Sequence, residues 1–84
     1  MTLEEKISNL IRETIEDLGY KLIKVKLHKE MGRDAVTIFI DKDNQKISLK
    51  DCEIVSRAIE PILDEADLIK KQYYLIVSSR GNEV

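Results

Sequence analysis

Apolar positions at the start of the chain recur with a helical period. Leu3, Ile7, Leu10, Ile11, Thr14 and Leu18 share one face, with Ile15 at its margin. Glu4, Ser8, Arg12, Glu13 and Glu16 take the wet side. Thr2 followed by Glu5 reads as a capping box, and Gly19 ends the helix as a C′ glycine does. From residue 20 to 29 the period falls to two: Ile23, Val25 and Leu27 alternate with Lys24, Lys26 and His28, the pattern of a half-buried strand. A turn over 30–34 has Gly32 near its centre, and 35–40 forms the next strand, antiparallel to the first. There Val36, Ile38 and Ile40 share one face, and Ala35, Thr37 and Phe39 the other. Both faces are apolar, which places this strand in the middle of the sheet.

The helical period returns after a polar loop. Ser48 is an N-cap, Asp51 falls at N3 near the positive end of the helix dipole, and Ile47 with Cys52 forms a hydrophobic staple. Cys52, Val55, Ile59 and Ile62 mark the buried side. Lys50, Glu53, Arg57 and Glu60 mark the wet one, with Glu53 and Arg57 spaced for an ion pair. Pro61 predicts a kink or break, with helix resuming through Leu63 and Asp64. Residues 65–72 read as charged and irregular, 73–78 as a third strand of strong β-propensity, and 79–84 as a turn or loose tail. The order helix, strand, strand, helix, strand predicts an α+β fold. It is a two-layer α-β-β-α-β sandwich in which both helices cover one face of a three-stranded sheet. A right-handed crossover through the second helix returns the third strand parallel to the second.

Composition narrows the class. At 84 residues, the chain is long enough for one domain with a modest core, burying roughly 60–65% of its unfolded surface. Hydrophobic residues at 43% and charged residues at 36% describe a globular rather than a disordered chain. The net charge of −2 lacks the basic excess that supplies non-specific affinity for nucleic acid, so any RNA contact must be local or shared with a protein. A single cysteine excludes an internal disulfide and suits a reducing cytoplasm. No apolar run approaches the ~20 residues needed to span a bilayer, and the first residues do not read as a signal peptide.

Candidate chemistry is sparse. Cys52 and His28 are the only thiol and imidazole, and the pattern puts them on opposite sides of the sheet, too far apart for a nucleophile–base pair. A buried Cys52 and a surface His28 are the commoner states of such residues, and together they are too few ligands for zinc. Asp41, Asp43 and Asn44 make an oxygen-rich loop, but the glycine and spacing of a calcium loop are missing. No glycine-rich phosphate loop occurs. Lys24 and Lys26, with Lys21 or Lys29 nearby, form a short basic stripe on the open sheet face, either as guards of an edge strand or as phosphate contacts. Asp51, Glu53, Glu60, Asp64, Glu65 and Asp67 crowd the second helix and its exit, ordinarily a solvated face, otherwise a surface that steers a basic protein partner.

The segment Asp51-Cys52-Glu53-Ile54-Val55-Ser56-Arg57 resembles the D-C-E-x-V-S-R segment of the bacterial ribosome maturation factor RimP family. Ile38-Phe39-Ile40-Asp41-Lys42 looks like that family's central strand and its exit, and Leu18-Gly19-Tyr20-Lys21-Leu22 like its first-helix exit. Tyr73-Tyr74-Leu75-Ile76-Val77-Ser78-Ser79, with Gly81 following, is similar to its Y-x-L-E-V-S-S-P-G strand end. Arg80 stands where the family has proline, and Ile76 where it commonly has glutamate. The resemblance implies an α-β-β-α-β N-terminal domain, distantly like one type of KH domain. It also implies a cytoplasmic, non-catalytic assembly factor that binds the immature small (30S) ribosomal subunit, with no cofactor and no small-molecule substrate. Family members carry an SH3-like barrel after the matching region, so the chain to Val84 is expected to be a single domain, 1–84, without it. The residues implied for docking are Asp51, Glu53, Ser56 and Arg57 on the second helix and Ser78, Ser79 and Gly81 at the third strand's end. The helix carboxylates would face basic ribosomal protein tails, and Lys24 and Lys26 are the candidate rRNA contacts. An alternative from another class is a KH-like single-stranded RNA-binding module. It requires a G-x-x-G loop, and the glycines stand alone at 19, 32 and 81.

Overall fold

The structure, a computed structural model, describes residues 2–43, 46–69 and 72–79. Helix α1 (Leu3–Asp17) is followed by strands β1 (Lys21–Glu30) and β2 (Arg33–Asp41), helix α2 (Leu49–Ala66) and strand β3 (Tyr73–Ser79). The expected α-β-β-α-β order and α+β fold are present. Each helix begins on a reciprocal cap: Thr2 with Glu5 at α1, and Ser48 with Asp51 at α2. In each cap a side-chain oxygen takes a first-turn amide that has no partner within the helix.

The sheet order is β1-β2-β3, with β1 antiparallel and β3 parallel to the central β2. Its register sorts the side chains into two faces. Toward the helices point the rows Leu27–Val36–Leu75, Val25–Ile38–Val77 and Leu22–Ile40–Ser79. These meet Ile7, Ile11 and Ile15 of α1 and Val55, Ile59 and Leu63 of α2 in one aliphatic core. The opposite face carries His28–Ala35–Tyr74, Lys26–Thr37–Ile76 and Lys24–Phe39–Ser78.

Several details depart from the periodic reading. Ile15 is fully buried at the centre of the α1 stripe, whereas Leu10 and Leu18 are 37% and 41% exposed. The sheet meets a narrower stripe of α1 than the apolar spacing suggests. In β1 a register shift between Leu22 and Lys24 places Leu22, not Ile23, in the core row beside Val25. Such a bulge adds one residue to a strand and so reverses the alternation locally. Pro61 does not break α2, which runs unbroken to Ala66 and ends on Asp67 in the left-handed conformation. Pro61 is exposed, so the carbonyl of Arg57, deprived of its amide partner, faces the wet side of the helix. Cys52 is only half-buried, and Leu63 instead completes the buried stripe of α2.

Candidate functional site

The N-terminus of α2 is tied to the start of β1 by one long-range contact. Tyr20 follows Gly19, whose φ of 93° turns the chain sharply out of α1 and drops the phenol into the core margin, 6% exposed. Its hydroxyl donates to Oδ1 of Asp51 at 2.6 Å. The other oxygen of Asp51 accepts from the Ser48 amide and the Ser48 hydroxyl, each at 2.9 Å. The Ser48 amide first, then the Tyr20 hydroxyl, hold the Asp51 carboxyl down at about 2. The same hydrogen bond, with burial behind it, pushes the Tyr20 phenol up to about 12. Lys42 sits 5.4 Å from the Tyr20 ring centroid and completes this corner. Asp51 is thus a structural carboxylate with both oxygens occupied.

The remaining α2 residues divide between two places. Glu53 and Arg57 form the expected i,i+4 ion pair at 2.6 Å on the outer surface of the helix, both side chains more than half exposed. Ser56 is half-buried on the rim of an open cleft of about 670 Å3, which Glu60 and Asp64 line from α2, Asp67 from its C-cap, and Tyr73, Tyr74 and Leu75 from β3. Burial, then the charges of Asp64 and Glu60, raise the Tyr73 phenol above its ordinary range. Arg33, at the start of β2, lies 5.7 Å from the Tyr74 ring centroid at the cleft's edge.

Lys24 and Lys26 on β1 and Ser78 on β3 share the open sheet face, with β2 between them, and Lys24 Nζ stands 5.3 Å from the Phe39 ring centroid. Ser79 points the other way, into the row of Ile40 and Leu22. The two strand-end serines therefore serve different faces, and Gly81 lies outside the described residues. His28, expected at the surface, is half-buried and shares a 2.6 Å hydrogen bond with Thr37 whose direction follows the histidine tautomer. It sits on the open face while Cys52 belongs to the helical layer, and burial, then the charge of Asp51, raises the thiol's pKa. In the oxygen-rich loop Asp41 accepts from the Lys42 amide at 2.8 Å and Asp43 pairs with Lys21 at 2.7 Å; Asn44 lies outside the described residues.

The family model for the RimP N-terminal domain matches residues 10–83. The chain belongs to the RimP family. The ribosome maturation factor RimP of Rickettsia prowazekii (strain Madrid E) is 45% identical over 83 residues, which is 98% of this chain and 70% of that protein. The RimP match spans both the Tyr20–Asp51 corner and the cleft. Among the described residues no helix is long and apolar enough to cross a membrane.

Sequence reasoning missed Tyr20, the tyrosines and Arg33 of the cleft, and Glu4, whose Oε2 accepts from the Leu27 amide at 3.0 Å across the gap from α1 to β1. The Gly19-Tyr20 pair behind a helix was the one available signal for the first. Nothing local marks the others, because their partners are distant in the chain.

Proposed function

We propose that this RimP-family domain is a non-catalytic assembly module that docks on the immature small (30S) ribosomal subunit in the cytoplasm. Membership of a family whose relative is named a ribosome maturation factor carries this reading. The charged outer surface of α2 is its principal docking surface, with the Glu53 carboxylate facing a basic ribosomal protein and Arg57 holding that carboxylate in place. Such surfaces work by complementary charge, which raises encounter rates and fixes register more than it adds affinity. Ser78 contributes from the end of β3, on the open sheet face. Lys24 and Lys26 supply a second contact, to rRNA phosphates, from the open sheet face. Two lysines give a small electrostatic contribution, so affinity should depend only mildly on salt, with a log–log slope of about −1 to −2.

Co-sedimentation of the chain with small ribosomal subunits over a series of salt concentrations tests the proposal. Subunit-dependent pelleting that Glu53→Lys weakens, and Lys24→Ala with Lys26→Ala flattens in salt, is the expected result. Absence of pelleting at low salt would end it.

A further inference from the structure

The sheet has two edges, and the chain treats them differently. Along β1 a bulge interrupts the ladder between Leu22 and Lys24, and Lys24, Lys26 and Lys29 recur. The Glu4 carboxylate also occupies the Leu27 amide. Each of these blunts an edge against pairing with another chain. Among the described residues none of the three is found along β3: Tyr-Tyr-Leu-Ile-Val-Ser-Ser contains no lysine and no proline, and it pairs with β2 without a register shift. Among the described residues no strand lies on its outer side. Beside the start of β3 lies the cleft, bounded by the exposed carboxylates of Glu60 and Asp64. Tyr73 and Leu75 line it from the helix-facing side of the strand and Tyr74 from the open side, so it wraps the strand's beginning.

We propose that the β3 edge takes up an extended, basic polypeptide segment as a fourth strand, whose lysines or arginines reach Glu60 and Asp64. Strand addition draws affinity from main-chain hydrogen bonds and specificity from the side chains that flank the edge. This names a partner class for the ribosomal docking proposed above and rests on that reading. A second copy of this chain fits less well, since edge-to-edge pairing would bring like carboxylates together. RNA fits less well still, because its phosphates would meet the same carboxylates and it cannot extend the ladder.

The test titrates the isotope-labelled chain with a short peptide alternating lysine with valine, and follows amide exchange by NMR. Controls are the same peptide N-methylated at alternate backbone amides and an aspartate–valine counterpart. Binding of the lysine peptide should slow exchange at alternate amides of Tyr73–Ser79. Either control, or Glu60→Lys combined with Asp64→Lys in the chain, should weaken binding about tenfold or more. Both carboxylates are exposed on α2, so the exchange pattern of the core should stay unchanged in that variant. Binding that leaves β3 exchange untouched would overturn the proposal. So would equal affinity for the N-methylated peptide, or protection of β3 that rises with protein concentration alone. If the doubly reversed chain still pellets with small subunits as the parent does, the edge assignment fails and the docking reading stands. If the parent takes up the peptide at β3 yet never pellets, the edge stands and the ribosomal reading fails.

Discussion

At the scale of single residues, Asp51 is the group on which the entry to α2 depends. It serves the Ser48 cap with one oxygen and the Tyr20 hydroxyl with the other. Tyr20→Phe should cost about 1 kcal/mol, the net worth of one hydrogen bond, measurable as a lower urea midpoint. Asp51→Asn should cost more, because it weakens the cap as well. The folded-state pKa of Asp51 lies below its unfolded value, near 2 against 3.8, so its contribution is complete above about pH 4. That contribution drains away as pH falls toward 2, and the Asp51→Asn chain should lack this part of the acid slope. Tyr20 has the opposite sign: its pKa is raised from 10.0 to about 12, so stability should be lost as pH climbs through that interval. Tyr20→Phe should remove the alkaline loss. The sequence announced the capping role of Asp51 through its place three residues after Ser48. It could not announce Tyr20, whose partner lies 31 positions away. Asp51 also shows how a residue picked for docking can be occupied by the fold itself.

At the scale of elements, periodicity located every helix and strand, and missed where local geometry resets the count. The β1 bulge moved Leu22 inward, and α1 turned slightly from its apparent stripe to bury Ile15. Neither event has a residue type that marks it. The hairpin between β1 and β2 turns through Met31 and Gly32, with φ of 52° and 80°. Two positive φ values are the signature of a type I′ turn, which suits asparagine better than methionine. Met31 is 93% exposed and packs against little, so Met31→Asn should raise stability by about 0.5–1 kcal/mol, seen as a higher melting temperature. Pro61 offers a larger gain. It interrupts the hydrogen bonds of α2 on an exposed surface, and Pro61→Ala should stabilise by about 1–2 kcal/mol after allowing for the looser unfolded chain. A chevron plot would show whether that gain falls on folding or unfolding.

At the scale of the whole molecule, the two layers leave one sheet face open and two edges of unequal character. Lys24 over Phe39, with the half-buried His28–Thr37 pair beside it, lets β2 keep Ala35, Thr37 and Phe39 nearly buried on the side that no helix covers. That the central strand would be apolar on both faces was legible from its residues. Which cations and ring would cover it required the register. Glu4 guards the β1 edge, and Glu4→Ala should speed amide exchange at Leu27 and increase self-association in light scattering, with little change in melting temperature. The parallel pairing of β2 with β3 has a consequence for how the molecule assembles. The hairpin closes through a two-residue turn and can form at once, whereas β3 reaches its place only after the whole of α2 has been laid across the sheet. Contacts that span so much chain carry a larger loop-closure entropy and come late. Tyr73–Ser79 should therefore be the last segment to gain protection in a refolding pulse-labelling experiment. Until it does, the middle strand itself lies bare along one side, so the most aggregation-prone interval in the life of this domain precedes the docking of its final strand.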